Sequence, residues 1–304
     1  MKILITGGAG FIGSHIVDAY IEAGHEVVII DNLSTGSKKN INPKARLYEA
    51  DILDLDALRE VFQKEQPEVV NHHAAIAAVG ASLRDPIPTI ETNVLGTTNI
   101  CLCANEFGVK RLLFASTGGV MYGDPKKLPV SESAPRDPIS PYALSKALAE
   151  DVIRFYAKMG SFTYFGFRYA NAYGPRQDPK GEAGIVAIFS ELIQDGKQPT
   201  IFGDGSKTRD YVHVSDIVSA NLLALTKGKN DVANIGWGKE VSDKEIFQII
   251  ADVLDYKKEP TYAPFRKGEV MHISLDSSKA KKLLNWEPVI KLEEGVRRTL
   301  TTHE

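Results

Sequence analysis

Near its N-terminus the chain reads Thr6-Gly7-Gly8-Ala9-Gly10-Phe11-Ile12-Gly13. A short apolar run, Ile3–Ile5, precedes this stretch, and an amphipathic segment, Gly13–Ala23, follows it. Glycines at positions 7, 10 and 13 suit a tight turn after a strand, a close approach to a pyrophosphate, and close packing of a helix on a sheet. The backbone amides at the start of that helix would receive the phosphates. The pattern therefore predicts a dinucleotide-binding strand–turn–helix unit.

Strand-like and helix-like segments alternate through the first half of the chain. The predicted buried strands are Ile3–Ile5, Val27–Ile30, Leu47–Ala50, Val69–Asn71, Leu112–Ala115 and Tyr164–Phe167. The predicted helices are Gly13–Ala23, Asp54–Lys64, Thr89–Phe107 and Pro141–Lys158. Because the strands are apolar and alternate with helices, we predict an α/β fold, a doubly wound parallel (Rossmann) sheet with helices on both faces.

The second half of the chain has a different character. Turn-forming residues become frequent after Tyr169, which predicts a smaller α/β lobe over the carboxyl edge of the sheet. We predict that residues 1–170 form the cofactor-binding domain and that segments around 211–233 and 271–285 return to it. Residues 171–304 would mainly form the substrate lobe.

Composition narrows the possible partners. The 304 residues carry a net charge of −3, which does not favour bulk attraction to nucleic acid or to an anionic membrane. No apolar run approaches 18 residues, and Ile3–Ile5 is too short for a signal peptide, so we expect a soluble, cytoplasmic protein. Cys101 and Cys103 would point away from each other on one element, which suggests neither a disulfide nor a metal site.

Asp31 bears on the choice of cofactor. It stands at the end of the second predicted strand, where its carboxylate can accept hydrogen bonds from both hydroxyls of an adenosine ribose. Its charge would repel a 2′-phosphate, and Asn32-Leu33 offer no arginine to hold one. Lys38 and Lys39 are the nearby cations. We therefore expect NAD rather than NADP.

Tyr142 and Lys146 form the candidate catalytic pair. Ser140-Pro141 predicts a helix start, so the tyrosine and lysine lie four residues apart on one helix face. A lysine ammonium and an oxidised nicotinamide nearby would bring the phenol pKa towards 7, which would let Tyr142 accept a hydroxyl proton. Ser116 or Thr117, after the preceding strand, could hydrogen-bond the reacting oxygen.

Together these residues resemble the extended short-chain dehydrogenase/reductase family, and most closely its UDP-glucose 4-epimerase group. The resemblance spans nearly the whole chain. Further stretches that carry it are Asp31-Asn32-Leu33-Ser34-Thr35-Gly36, Asn93-Val94-Leu95-Gly96-Thr97, Arg168-Tyr169-Ala170-Asn171-Ala172-Tyr173-Gly174-Pro175-Arg176, Gly203-Asp204-Gly205, Arg209-Asp210-Tyr211-Val212-His213-Val214 and Arg266-Lys267-Gly268-Glu269.

The resemblance implies a set of ligand contacts. Residues implied to contact NAD are Gly7, Gly10, Phe11, Ile12, Gly13, Asp31, Asn32, Ser34, Gly36, Asp51, Ile52, Ala74, Ala75, Asn93, Tyr142, Lys146 and Tyr169. Residues implied to contact a UDP-hexose are Thr117, Tyr142, Asn171, Gly184, Val186, Thr200, Phe202, Arg209, Arg266 and Glu269. Among these, Asn171, Arg209 and Arg266 would hold the diphosphate, and Glu269 would lie near the uridine ribose.

The implied reaction interconverts UDP-galactose and UDP-glucose through oxidation at C4, rotation of a bound 4-keto sugar and reduction on its opposite face. Elimination chemistry is disfavoured because Gly118-Gly119 offer no ionisable group beside the Ser/Thr pair. The alternatives are an epimerase of UDP-N-acetylhexosamine or UDP-uronate, a nucleotide-sugar reductase that releases its cofactor, and a binding module on the same fold. The family also implies a homodimer through its two long helices.

Three departures from the family pattern stand out. The turn Ser116–Gly123 is one residue longer than in many members, so either Ser116 or Thr117 could be the catalytic residue. Ala77 replaces a lysine that some members use to contact the cofactor. Ile273 stands where some members have a tyrosine that narrows the sugar pocket, which predicts room for an N-acetyl group.

Overall fold

The computed structural model describes residues 1–160, 162–180, 184–265 and 270–301. Its strands are β1 (Lys2–Thr6), β2 (Glu26–Asp31), β3 (Arg46–Glu49), β4 (Val69–His72), β5 (Arg111–Thr117), β6 (Thr163–Tyr169), β7 (Asn171–Tyr173), β8 (Thr200–Phe202), β9 (Thr208–Arg209), β10 (Tyr211–His213), β11 (Asp231–Ile235), β12 (Val241–Ser242) and β13 (Thr261–Ala263).

Its α-helices are α1 (Phe11–Glu22), α2 (Leu55–Glu65), α3 (Val79–Arg84), α4 (Pro86–Ile90), α5 (Gly96–Glu106), α6 (Pro141–Met159), α7 (Ile185–Gln194), α8 (Val214–Ala224), α9 (Asp243–Val253), α10 (Ser278–Leu284) and α11 (Leu292–Thr301). A 3-10 turn covers Lys38–Asn40, and a π-helical turn, Glu91–Leu95, joins α4 to α5.

Seven parallel strands form one sheet in the order β11-β6-β5-β4-β1-β2-β3. The order reverses beside β1, as in a doubly wound fold, and the predicted parallel α/β sheet is confirmed. All six predicted strands belong to it. The seventh strand, β11, was not predicted as a strand, because its sequence DVANI mixes polar and apolar residues at the sheet edge.

The predicted helix Thr89–Phe107 differs most from the structure. Helix α4 begins earlier, at Pro86, because the Asp85 side chain accepts a hydrogen bond from the Ile87 amide. A π-helical turn then interrupts the helical path before α5. Such turns widen a helix by one residue and occur often at functional sites.

Side chains alternate between two cores on the two faces of the sheet. In β1, Ile3 and Ile5 belong to one core, whereas Leu4 belongs to the other. A third core draws only on residues after Asn171 and includes Phe189 and Phe247. This third core agrees with a second lobe, although the boundary after residue 170 stays a prediction.

Three small strand pairs lie outside the large sheet. Strands β7 and β10 pair in parallel, as do β8 and β13, whereas β9 and β12 are antiparallel. In contrast, β11 joins the edge of the large sheet, so a segment from the second half returns to the first. Within the described ranges, no helix has the length and apolar character needed to cross a membrane.

Candidate active site

The turn between β1 and α1 forms a cradle for a pyrophosphate. Gly7 has a φ of +71°, and a Cβ there would lie 2.7 Å from the Ala74 nitrogen. A Cβ at Gly13 would lie 2.1 Å from the Gly7 oxygen. Helix α1 begins at Phe11 with no side-chain hydrogen bond capping it at Gly10. Its first amides can therefore receive phosphate oxygens, as predicted for Phe11 and Ile12.

Asp31 closes one side of this cradle. Its Oδ2 accepts a hydrogen bond from the Ala9 amide at 2.9 Å, and its Oδ1 accepts one from the Leu33 amide at 2.8 Å. Each oxygen keeps a second lone pair, which suits the two hydroxyls of a ribose. A Cβ at Gly36 would lie only 2.9 Å from Asp31 Oδ1, so glycine lets this loop approach the carboxylate. The arrangement fits the adenosine half of NAD.

The predicted adenine contacts lie beside Asp31. Asn32 Nδ2 donates to Asp51 Oδ2 at 2.8 Å, and Ser34 Oγ donates to Asn32 Oδ1 at 2.7 Å. Ile52 is buried against Gly96, at which a Cβ would lie 2.4 Å from Ile52 Cδ1. The structure thus brings these residues to the same end of the sheet as the glycine turn.

Asn93 lies in the π-helical turn and ties two elements of the site together. Its Oδ1 accepts a hydrogen bond from the Ile76 amide at 2.8 Å. Its Nδ2 donates to the Ile76 oxygen at 2.9 Å and to Ser145 Oγ at 2.8 Å. Asn93 therefore fixes the loop after Ala74 and Ala75 to helix α6, directly beside Lys146.

Thr117, Tyr142 and Lys146 meet where β5 ends. The Thr117 side chain lies next to the Tyr142 hydroxyl. Lys146 Nζ donates to the Ala115 oxygen at 2.8 Å and lies 4.9 Å from the centre of the Phe114 ring. The tyrosine and lysine thus occupy successive turns of α6 and face the end of β5.

Burial acts in opposite directions on the two ionisable groups of this cluster. It raises the pKa of Tyr142 to about 12, although the interaction with Thr117 opposes the rise. It lowers the pKa of Lys146 to about 7, which the negative charge of Glu150 opposes. The expected Tyr142 pKa near 7 includes the charge of a bound oxidised nicotinamide, so it stays a prediction.

Ser116 lies on the other side of β5 from Thr117. Its Oγ donates to Glu150 Oε1 at 2.6 Å, and it is buried. Adjacent strand residues point to opposite faces, so one of the two hydroxyls must turn away from Tyr142. The structure brings Thr117, not Ser116, to the tyrosine.

Glu150 and Arg168 anchor a set of side chains that we term the charged network. Arg168 Nε and Nη2 donate to the two Glu150 oxygens at 2.9 and 2.7 Å, and both residues are buried. Arg168 Nη1 also donates to the Tyr122 hydroxyl at 2.8 Å. The network comprises Ser116, Glu150, Arg168, Tyr122 and Asn234. Sequence reasoning missed Glu150. The feature that could have revealed it is a carboxylate one helical turn beyond Lys146 on an otherwise apolar face of the helix.

A second set on the opposite face of the sheet forms the neutral network. The Tyr169 hydroxyl accepts from Asn221 Nδ2 at 2.8 Å and shares a hydrogen bond with His73 Nε2 at 3.2 Å. The neutral network comprises His73, Tyr169, Asn221, Asn71 and Tyr20. Because the Tyr169 hydroxyl already has two partners, a predicted cofactor contact by this residue would use its ring.

The predicted substrate residues are more widely spread. A Cβ at Gly119 would lie 3.0 Å from Asn171 Oδ1, which places this oxygen at the turn after Thr117. Arg209 lies in β9, and its Nη1 donates to the Thr208 oxygen at 2.7 Å. Val186 is buried in the third core. Gly184 lies just before α7. Thr200 and Phe202 are the first and last residues of β8. Arg266 and Glu269 lie outside the described residues.

Asp210 is a further residue that sequence reasoning did not single out. Its carboxylate accepts hydrogen bonds from the amides of Trp237, Gly238 and Leu275 at 2.9, 2.9 and 3.0 Å. Its backbone oxygen accepts one from the Asn171 amide at 2.9 Å. Burial raises the pKa of Asp210 to about 7, against these three donors. Asp210 thus ties the Asn171 and Arg209 segments to the sheet edge.

A dinucleotide cradle beside a Thr/Tyr/Lys cluster defines a short-chain dehydrogenase type of site. Within the described residues, no group of three or more His, Cys, Asp or Glu side chains could hold a metal ion. Residues 3–236 match the NAD dependent epimerase/dehydratase family, and the chain belongs to that family. It is accordingly an NAD-dependent enzyme.

Relatives match along nearly their full lengths. A UDP-glucose 4-epimerase from Mycolicibacterium smegmatis is 40% identical over 306 residues, covering 99% of this chain and 97% of the relative. The UDP-glucose 4-epimerase of Thermotoga maritima, solved with UDP-glucose, superposes with a TM-score of 0.97 at 46% identity, covering 99% and 97% of the two chains. That of Thermus thermophilus, solved with NAD, gives 0.94 at 38% identity, covering 99% and 98%.

Proposed function

We propose that this protein interconverts UDP-galactose and UDP-glucose by NAD-dependent epimerisation at C4. The observation that carries the proposal is the cluster at the end of β5, where Thr117 lies next to Tyr142 and Lys146, one helical turn away, donates to the Ala115 oxygen. The names of the relatives, and the UDP-glucose and NAD in the related structures, support it.

Tyr142 would exchange a proton with the C4 hydroxyl. NAD, when bound, supplies the hydride acceptor and donor, and the positive charge of its oxidised ring would favour the phenolate of Tyr142. Lys146 would hold the nicotinamide ribose, and its ammonium would favour the phenolate. Thr117 would donate to the same substrate oxygen and keep it aligned with Tyr142.

The turn after β5 favours epimerisation over elimination of water. Elimination needs an acid and a base beside the reacting sugar, but the positions after Thr117 are Gly118 and Gly119. A Cβ at Gly118 would lie 2.4 Å from Leu275 Cδ1 and 3.0 Å from the Arg168 oxygen. An ionisable side chain at this position would therefore clash with the Leu275 side chain and crowd the Arg168 carbonyl.

The reaction requires a tightly held nucleotide and a loosely held sugar. Asn171, Arg209 and Arg266 would bind the diphosphate, since charge-assisted bonds to phosphate are strong. Glu269 would contact the uridine ribose. Binding energy concentrated on UDP lets the bound 4-keto sugar turn over without release, and Tyr142 would then return the proton to the same oxygen.

The first experiment is to incubate the purified protein with UDP-galactose, without added NAD, and to separate the products. Formation of UDP-glucose in an equilibrium ratio would establish epimerisation with retained cofactor. The Tyr142→Phe variant is the matched control, since it removes one hydroxyl and should abolish turnover. Absence of product with and without added NAD would overturn the proposal, and a requirement for NADH or NADPH would indicate a reductase.

Ile273 bears on the choice of sugar. It is buried in the same core as Leu275, whose side chain lies against Gly118 in the turn that follows Thr117. We propose that the aliphatic residue leaves room for an N-acetyl group at C2. UDP-N-acetylglucosamine in the same assay tests this, and poor turnover beside good turnover of UDP-glucose would contradict it.

We also propose that the enzyme is a homodimer. Large apolar side chains are exposed along neighbouring helices, namely Leu83, Ile87, Leu95, Leu144, Leu148, Phe155 and Met159. Because α3, α4 and the π-helical turn all pack against α6, these residues suit a face covered by a second copy. Phe155→Glu should shift the sedimentation coefficient to that of a monomer, whereas Val289→Glu, at an exposed apolar site elsewhere, should not.

A further inference from the structure

Three successive residues at the end of β5 contact three successive turns of α6. Thr117 lies next to Tyr142, the Ala115 oxygen accepts from Lys146, and Ser116 donates to Glu150. Tyr142, Lys146 and Glu150 are spaced four residues apart, so they form one row along the helix. The first two members belong to the proposed active site, and the third lies one turn further along α6.

Glu150 is held more firmly than either of its neighbours in the row. Both of its oxygens accept hydrogen bonds from Arg168 of β6, and Oε1 also accepts from Ser116 of β5. Ser116 and Arg168 are directly paired residues of the two strands. One carboxylate therefore fixes two strands and one helix at the edge of the site.

We propose that Glu150 is a positioning residue: its carboxylate sets the spacing between β5 and α6, and its charge keeps the Lys146 ammonium in place. This inference rests on the proposed function for its kinetic consequences, but not for its structural ones. Thr117 and Tyr142 would have to hold the same substrate oxygen, so a small shift of α6 along β5 would misalign both groups.

Glu150 is the negatively charged group of α6 that lies closest to Lys146. Groups that face Lys146 are His72 of β4, His73 just after it, the Phe114 ring from β5, and Glu150. Groups that face Glu150 are Ser116, Arg168, Lys146, and Arg136, whose Nη1 lies 3.7 Å away. The histidines are held neutral by burial, so they add no positive charge beside the Lys146 ammonium.

Glu150→Gln is the first test variant. Glutamine keeps an oxygen that can accept from Ser116 but removes the charge, so the Lys146 ammonium loses its support and its pKa should fall by about 1 unit. The readout is an NMR titration of ε-¹³C-lysine in the purified full-length chain, with Lys146→Arg to assign the signal. In the epimerase assay the basic limb of the kcat–pH profile should move to lower pH, since Lys146 then loses its proton earlier.

Ser116→Ala is the second variant and leaves the Glu150–Arg168 pair whole. It should lower kcat by about 10-fold with little change in KM, while the lysine titration stays that of the wild type. This variant keeps the inference testable if the Gln variant does not fold. Asp151→Asn is the matched control, since Asp151 is the next residue of α6 and pairs only with Arg136 and Arg154 in the described structure.

The outcomes separate the two proposals. If the wild type does not convert UDP-galactose, the proposed function fails, yet the lysine titration still tests Glu150. A folded Glu150→Gln protein with the wild-type lysine midpoint overturns the inference, as does a Ser116→Ala protein with wild-type kcat. Equal effects from Asp151→Asn would also overturn it, because any carboxylate on the helix would then suffice.

Discussion

The charged network and the neutral network lie under the same sheet edge but on its two faces. Arg168 and Tyr169 are neighbours in β6, but Arg168 belongs to the charged network and Tyr169 to the neutral network. The first is built on a bidentate ion pair, and the second on hydrogen bonds between uncharged groups. Because a buried charge is costly without its partner, the charged network is stable only while both members of its ion pair are present. The neutral network is stable only while its histidine stays unprotonated.

The largest effect is expected from breaking the ion pair on one side. Arg168→Met would leave Glu150 buried with Arg136 as its nearest remaining cation, which should lower the free energy of unfolding by about 3–5 kcal/mol. Urea unfolding measures this loss. The double variant Arg168→Met/Glu150→Met should recover most of it, because two matched apolar side chains leave no unpaired charge. A double variant as unstable as the single one would mean that packing, not charge, dominates.

A smaller loss is expected on the neutral side. Asn221→Leu removes the acceptor of Asn71 Nδ2 and the donor to the Tyr169 hydroxyl, which should lower stability by about 1–3 kcal/mol. The same urea titration applies. Adding Tyr169→Phe should then cost less than it does in the wild type, since the hydroxyl has already lost a partner. Strict additivity would show that the two side chains are not coupled.

The neutral side should also respond to acid. Burial lowers the pKa of His73 to about 3, so between pH 6.5 and 3 the unfolded chain binds a proton that the folded chain refuses. Stability contributed by neutral His73 is complete above pH 6.5 and is lost as the pH falls, by at most about 1.4 kcal/mol per pH unit. His73→Phe should therefore flatten the fall of Tm below pH 6.5. An unchanged slope would assign the fall to other groups.

The smallest effect is expected outside both networks. Asp151 pairs with Arg136 and Arg154, but it is 38% exposed, so Asp151→Asn should change the free energy of unfolding by less than about 1 kcal/mol. Raising the salt concentration should reduce even that difference. A loss as large as that from Arg168→Met would remove the distinction between buried and exposed pairs on α6.

Much of the cofactor half could be predicted from the sequence. Its strands are short apolar runs, and the glycine turn and Asp31 have fixed places in a strand–turn–helix unit. The local sequence pattern was therefore enough to predict both the secondary structure and the cofactor-binding role of these residues. The choice between Ser116 and Thr117 could not be made, since it depends on which of the two hydroxyls points to Tyr142 and which to Glu150, and both of those residues are in α6. Glu150 and Asp210 were missed because their partners lie far away in the chain.

The second half was harder for a physical reason. Strands such as β9 and β12 have two residues each and pair across distant sequence, so no periodicity marks them. The sequence also shows a lysine near Tyr142, but not the burial that raises the pKa of the phenol.

The π-helical turn at Glu91–Leu95 gives the path from α4 to α5 one residue more than an α-helix would need. Deleting one residue there would let the backbone close as an ordinary α-helix, while the residues on either side keep their orientation. Thr97, whose hydroxyl lies 3.0 Å from His72 Nε2, would then keep its place in the core. The same deletion inside α5 would instead rotate one part of the helix against the other by about 100°, so a single-codon deletion should be tolerated better in the π-helical turn than in α5.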